Sequence, residues 1–415
     1  MNSAKRFALN AIRRLLSGEK ATAFSFQPSV RTEFPQFDGP QDFYVHVPYC
    51  QKRCAYCPYN TKPLDMEETS RFYEALKAEA HLAAANGASA SGRSLYIGGG
   101  TPTCTGHRLV RFIEDFSALC GSPTTIAIES SAEEITGASL DKLRCVGVTQ
   151  LSVGIQSIDP KTLKRLGRSD ETETYEGKIA LAAEMGFKNL NVDLMYDADG
   201  ETIEEVDRDL NRAIGSGADQ ITVYPLFRFF REEGVAMPSL RGRWRFFDFV
   251  WQKMVSEGYA PVSVWSFRRG CSGEVFSSVQ RRSFVGLGPG AATCQRNLFA
   301  FNTFDASAWM GKINQRECAY SLEMTLSPNI RALYGLYWDL YACRMPDKLD
   351  MDLKKRRTLQ AFASVARILG FLRGTSLTEK GAYWIHLLQN QYMLDYINRL
   401  WYVSRRTPYP SQVHL

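Results

Sequence analysis

Between residues 43 and 226 the chain repeats one pattern six times, an apolar strand followed by a helical stretch. The strands read FYVHVP, SLYIGGG, TTIAIES, QLSVGIQS, NLNVDLMY and QITVYPL, with helical stretches such as 69–85, 171–186 and 202–215 between them. Strands this rich in Val, Ile and Leu suit a parallel sheet covered by helices, since each helix carries the chain back to start the next parallel strand. The pattern predicts an α/β fold, either a partial (β/α) barrel or a doubly wound sheet. In both, chemistry belongs at the C-terminal ends of the strands.

Beyond residue 227 the alternation stops. An aromatic, basic stretch runs through RGRWRFFDFVWQKM, a Gly-rich turn follows in SFVGLGPGAA, and residues 328–415 read as mainly helical. The expected organisation is an N-terminal extension with a short amphipathic helix over 1–40, a core with its extension over 41–310, and a helical C-terminal domain over 311–415 that covers the substrate. Tyr383, Trp384, Tyr392 and Tyr396 offer that domain an aromatic surface, with ordinary core packing the favoured reading for most of the four. At 415 residues, 45% hydrophobic and 23% charged, the composition excludes a disordered or fibrous chain. The net charge of +6 permits anionic ligands without selecting nucleic acid. No apolar run reaches the ~20 residues of a membrane span, and a cytoplasmic location is expected. Ten cysteines then read as reduced thiols. Seven of them, scattered singly, are expected to be small buried hydrophobes.

The other three, Cys50, Cys54 and Cys57, stand in CQKRCAYC directly after the first strand. One tight loop can deliver three thiolates to an iron–sulfur cubane and leave the fourth iron open. A structural zinc site with His46 as fourth ligand is the competing reading. It is disfavoured because the spacing lacks the paired CxxC form of zinc modules and a zinc knuckle does not account for six βα units. After the second strand, Gly99, Gly100 and Thr101 form a glycine run whose backbone amides could approach a charged ligand. Glu129, Gln156 and Asp193 lie at later strand ends, and Arg168 lies just after the fourth strand. A carboxylate suits ribose hydroxyls and a guanidinium suits a ligand carboxylate, so the set describes a site for an amino-acid nucleoside.

With CxxxCxxC, Tyr56 before the third cysteine, GGGTP, the ExxxE-like segment, GxQS, RLGR and NxDLMY in this order, the chain resembles the oxygen-independent coproporphyrinogen III oxidase family of radical S-adenosylmethionine (SAM) enzymes. The resemblance runs from about Tyr44 to Phe227 and continues weakly through FVGLGPGA and SLTEKG. It implies a partial (β/α)6 barrel of TIM type with a mainly helical C-terminal domain. It implies a [4Fe–4S] cluster on Cys50, Cys54 and Cys57, with one SAM contacted by Tyr44, Gly99 and Glu129. A second SAM would be contacted by Tyr56, Gly100, Thr101, Gln156, Arg168, Asp193 and Phe227. The activity implied is reductive cleavage of SAM to a 5′-deoxyadenosyl radical that abstracts hydrogen from a small organic substrate. The partners implied are an anionic tetrapyrrole and a reductant such as flavodoxin or ferredoxin.

The chain departs from that family at three places. Tyr59 stands where the oxidases usually carry a fourth cysteine, DADG at 197–200 replaces Gly-Leu-Pro, and the HNxxYW-type stretch of related haem chaperones is absent. Arg268, Arg269, Arg281 and Arg282 are candidates for meeting propionates. Methyl transfer or cyclopropanation within the same fold is the alternative reaction. Haem delivery, or RNA binding through the aromatic and basic stretch Arg241 to Lys253, is the alternative from another class.

Overall fold

The computed structural model describes residues 25–168, 175–227, 240–270, 276–277, 282–347 and 352–414. The predicted N-terminal helix, Cys271 and Arg281 lie outside them. The strands are β1 (Ser25–Pro28), β2 (Asp42–Val47), β3 (Ser94–Gly99), β4 (Thr125–Ser131), β5 (Gln150–Gln156), β6 (Asn189–Tyr196) and β7 (Gln220–Pro225). They continue with β8 (Tyr259–Pro261), β9 (Ser266–Arg269), β10 (Phe284–Leu287), β11 (Ala292–Gln295), β12 (Leu298–Asn302), β13 (Tyr320–Thr325) and β14 (Val413–His414). These fourteen strands form one sheet in the order β8-β9-β7-β6-β5-β4-β3-β2-β10-β11-β12-β13-β1-β14.

Its centre is the predicted α/β unit, with β2 to β7 parallel and in sequence order. The helices between them include α1 (Met66–Ala85), α2 (His107–Cys120), α3 (Gly137–Cys145), α4 (Pro160–Arg165), α5 (Tyr175–Glu184) and α6 (Ile203–Gly215). Asp65 caps α1 by accepting from the Glu68 amide, and Thr202 with Glu205 forms a capping box on α6. The six strands do not close on themselves. β9 flanks β7 as an antiparallel strand, and β10 takes the far side of β2 in parallel.

The two faces of this sheet differ in a way the apolar strand reading did not anticipate. Alternate side chains point to opposite faces. One set, including Val45, Ile97, Ile128, Leu151, Val153, Val192 and Ile221, packs in the main core with Leu76, Phe116 and Leu210 from the helices. The other set is polar and cross-linked from strand to strand. Asn191 donates to Ser152 at 2.7 Å, Thr222 donates to the Asn191 carbonyl at 2.9 Å, and Thr222 meets Ser266 at 3.0 Å. Buried polar groups are tolerated because each finds a partner on the next strand.

The Gly-rich turn after β10 is a packing device. Gly288 has φ +94, and a Cβ there would overlap the His46 carbonyl oxygen of the neighbouring strand. Its amide donates to Glu79 on α1 at 2.6 Å, while Asn302 donates to the other Glu79 oxygen at 2.7 Å. Gly288→Ala is therefore expected to cost about 2–4 kcal/mol through overlap and left-handed strain. Gly258→Ala, also at positive φ but with nothing within 4 Å, should cost only about 1 kcal/mol. Thermal unfolding of both variants checks the difference.

Beyond the barrel unit lie α7 (Leu240–Ser256), α8 (Ala306–Asn314), α9 (Pro328–Tyr341), α10 (Leu353–Ile368) and α11 (Glu379–Tyr396). A boundary at 310/311 falls inside α8, and β13 continues the common sheet. Ile313, Tyr320, Tyr341 and Tyr383 share the core with Phe43 and Phe72. The C-terminal region is mainly helical, yet it packs on the barrel unit through one continuous core. The aromatic stretch on α7 is part of that core, because Phe247, Val250, Trp251 and Met254 are buried. Of the single cysteines, Cys104, Cys120, Cys294, Cys318 and Cys343 are buried as expected, whereas Cys145 at the end of α3 is exposed.

Candidate active site

Side chains from β3 to β7 and β9 line one cavity of about 410 Å³ at the C-terminal strand ends. The loop carrying Cys50, Cys54 and Cys57 forms part of its wall. Cys50 is buried and the other two are half-buried. Burial pushes the Cys50 thiol up to about 11, against a hydrogen bond from Thr101. A thiol held that high loses its proton to a binding metal rather than to solvent.

The glycine run packs directly against this loop. Gly100 donates to Val47 O at 2.8 Å and Thr101 donates to Tyr49 O at 2.7 Å. A Cβ on Gly100 would overlap the Tyr49 carbonyl and come within 2.9 Å of Cys50 Sγ. The amide of Gly99 donates to Glu129 Oε2 at 3.1 Å. Gly99, Gly100 and Thr101 all line the cavity, with their amides already engaged. All three are consumed within the protein, and the glycines act by letting the second strand end approach the cysteine loop.

Glu129 also accepts from the Tyr96 hydroxyl. Tyr44 does not line the cavity. It stacks on Tyr96 with centroids 6.0 Å apart, and its hydroxyl meets His46 Nδ1 at 3.0 Å. Tyr44 thus stands beside the cavity-lining Tyr96, one ring back from the wall. His46 has its other ring nitrogen on Asn60 O at 2.9 Å, and burial lowers its pKa to about 4. With both nitrogens engaged, His46 does not serve as a fourth zinc ligand.

The remaining predicted residues, Tyr56, Gln156, Arg168, Asp193 and Phe227, all line the cavity. Arg168 donates to both Glu133 oxygens at 3.2 and 3.3 Å, and Tyr175 donates to the same carboxylate at 2.9 Å. Burial works against the Arg168 charge, but the Tyr56 hydroxyl and Glu133 hold its pKa above the usual range. Gln156 sits at φ 69 where the β5–β6 register shifts, and its carbonyl accepts from Tyr224 at 2.7 Å. Asp193 accepts from Ser152 at 3.0 Å and Asn191 at 2.8 Å, and burial raises its pKa to about 7. Phe227 stacks on Tyr224 and meets the Trp265 ring edge to face.

Sequence reasoning did not single out Glu133, Ser152, Asn191, Tyr224, Trp265, Tyr341 or Gln389, all on or beside this cavity. Asn191 was legible in principle, since it lies two residues from Asp193 on the same strand and shares its face. Of the arginines proposed for propionates, the three described ones are not on the wall. Arg268 is buried in β9, Arg269 lies over the Tyr259 ring at 4.9 Å, and Arg282 is paired with Asp339. The cations that do line the cavity, among the described residues, are Lys52, Arg53 and Arg168.

Residues 44–213 match the radical SAM superfamily. The chain carries a radical SAM domain. Among its relatives is the heme chaperone HemW of Bacillus subtilis, 24% identical over 238 residues that cover 54% of this chain and 63% of that protein. Another is the oxygen-independent coproporphyrinogen III oxidase of Paracoccus denitrificans, 27% identical over 261 residues, covering 59% of this chain and 57% of that one. The chain thus spans less than two thirds of either relative. The solved coproporphyrinogen III oxidase HemN from Escherichia coli matches with TM-score 0.70 at 20% identity, over 86% of this chain and 91% of that one. The two share a fold, as the partial barrel reading expected.

The radical SAM domain implies a [4Fe–4S] cluster and SAM, and the donor set suits them. Among the described residues no three His, Cys, Asp or Glu side chains are gathered to hold a single metal ion. A cubane asks for something else, since each thiolate binds its own iron and the sulfurs stand wider apart. Three thiols on one wall, beside a glycine step that admits close approach, suit the cubane. A half-buried carboxylate and a buried guanidinium on the same wall suit the amino and carboxylate groups of SAM.

Proposed function

We propose that this chain is a radical SAM enzyme that reductively cleaves SAM at a [4Fe–4S] cluster held by Cys50, Cys54 and Cys57 and abstracts hydrogen from an organic substrate. The single observation that carries the reading is one cavity lined by the three thiols, Glu129 and Arg168. The cluster, when bound, supplies the electron that converts SAM to methionine and the 5′-deoxyadenosyl radical. The chain's own residues bind, orient and exclude water. Glu129, oriented by Tyr96 and the Gly99 amide, would hold an ammonium or hydroxyl group. Arg168, braced by Glu133, would pair a carboxylate. Gln156 and Asp193 would position the nucleoside, while Phe227, Trp265 and Tyr341 keep the reacting carbon dry.

The substrate class proposed is a tetrapyrrole, on the names of the coproporphyrinogen oxidase and haem chaperone relatives. Oxidative decarboxylation leads because oxidase and chaperone relatives match alike and the chaperones' HNxxYW-type stretch is absent here. The cavity positions matched to a second SAM leave methyl transfer or cyclopropanation as the competing reaction. Lys52 and Arg53, exposed beside the cysteine loop, suit an acidic electron carrier such as flavodoxin or ferredoxin. No helix among the described residues is long and apolar enough to cross a membrane, and the nine described cysteines, all free thiols, fit a reducing cytoplasm.

The test is anaerobic turnover with coproporphyrinogen III, SAM and a reductant, read by mass spectrometry. Methionine and 5′-deoxyadenosine with a decarboxylated product support the reading. S-adenosylhomocysteine or methylthioadenosine indicates alkyl transfer instead, and haem binding without SAM cleavage indicates a chaperone.

A pH dependence follows from Asp193. Its folded value of about 7 lies above the ordinary 3.8, so its carboxylate is charged only above about pH 7 and this group costs stability as pH rises from about 4 through 7. A charged acceptor binds a hydroxyl by about 1 kcal/mol more than a neutral one. SAM affinity should therefore rise about three- to fourfold between pH 6 and 8, and Asp193→Asn should flatten the curve. Equilibrium binding of SAM to the cluster-loaded protein across that range checks this.

A further inference from the structure

Two cavity-lining residues, among those described, carry a buried polar atom with no hydrogen-bond partner: Thr61, beside the cysteine loop, and Gln389, far from it in sequence on α11. Gln389 is 2% exposed, lines the cavity, and its carbonyl oxygen Oε1 accepts no hydrogen bond. Buried amide carbonyls are ordinarily satisfied, so an orphan on a side chain that lines a cavity asks for a ligand. The neighbouring polar residues on α11 are accounted for. His386 accepts from Trp265 Nε1 at 2.8 Å through Nδ1, and its Nε2 meets Asn390 at 3.3 Å. Residues 386, 389 and 390 share one helical face. His386 therefore ties α11 to the loop before β9, Asn390 braces His386 from within the helix, and Gln389 is left over.

The surroundings narrow what would occupy that acceptor. Trp265, Phe227, Tyr224 and Tyr341 give the same cavity aromatic walls, which favour a planar ring. Hydroxyl ligands both donate and accept, and Ser263 and Ser266 on the same wall already offer both roles. A lone carbonyl acceptor is matched best by a group that only donates, and a ring N–H is such a group.

We propose that Gln389 is a substrate-recognition residue whose amide carbonyl accepts a hydrogen bond from the ring N–H of a heteroaromatic substrate. The proposal rests on the reading of this cavity as the SAM and substrate site, and it places recognition on α11, outside the radical SAM domain. The α11 anchor to Trp265 through His386 holds the carbonyl in place. Tyr383 lies in the core against Trp244, and Trp384 faces solvent.

The probes are indole and benzofuran, which share shape but differ in the ring N–H. Each is titrated against the anaerobic, cluster-loaded full chain with SAM present, and affinity is read by ligand-observed NMR. Indole is expected to bind at least tenfold tighter. Gln389→Met, of similar length but without the amide oxygen, should erase the preference, and Gln389→Glu, which keeps an acceptor, should retain it. No preference in the natural protein, no binding of either probe, or a preference that survives Gln389→Met would overturn the proposal. Uncoupled 5′-deoxyadenosine formation by the natural protein is measured in parallel. Its absence beside a clear indole preference would sink the radical SAM activity and leave this recognition site standing.

Discussion

Anaerobically reconstituted protein should hold about four irons and four sulfides per chain, and the variant with Cys50, Cys54 and Cys57 all replaced by Ala should hold almost none. The expectation follows from three thiols on one wall, with the Cys50 thiol kept protonated until a metal displaces the proton. Iron and sulfide analysis, with the visible charge-transfer absorption, reads the result. Zinc recovered in place of iron after anaerobic purification would remove the central claim, and so would full iron retention in the triple variant. Gly100→Ala offers an independent approach to the same loop. Its Cβ would displace Tyr49 and Cys50 without removing any thiol, so lowered cluster occupancy is expected with the ligands intact.

The second large effect concerns Glu129 and Arg168. Truncating one partner of a buried, hydrogen-bonded charge pair costs about 2–5 kcal/mol, tenfold or more in affinity. Glu129→Ala also strands the Tyr96 hydroxyl and the Gly99 amide that now donate to it. Arg168→Ala releases Glu133, which keeps Tyr175 as a partner. Both variants should keep their cluster and lose at least tenfold in SAM binding, or in 5′-deoxyadenosine formation without substrate. An unchanged rate in either one would remove that residue from the SAM site. The larger loss is expected for Glu129, because two donors are left unsatisfied in place of one half-exposed carboxylate.

The readings that held are local ones. Three cysteines within eight residues of chain meet wherever that loop goes, because connectivity alone brings them together. Six strand and helix alternations dictate parallel pairing, since a crossover helix cannot return the chain in the other direction. Strand-end positions such as Glu129, Gln156 and Asp193 converge for the same reason. What composition and spacing could not carry was the direction of each group once packed. The amides of Gly99, Gly100 and Thr101 are free in any extended chain, and only the approach of the cysteine loop and Glu129 consumes them. Tyr44 matches a contact position, yet its hydroxyl turns to His46 behind Tyr96. Arg268, Arg269 and Arg282 read as one basic cluster and end up buried, stacked and paired in three different places. Gln389 lies 339 residues from Cys50 in the chain and on the same cavity wall in space. Local periodicity determined this protein's elements and its cysteine loop, whereas partner choice among distant side chains was decided by burial, which makes every polar atom find a neighbour or wait for a ligand.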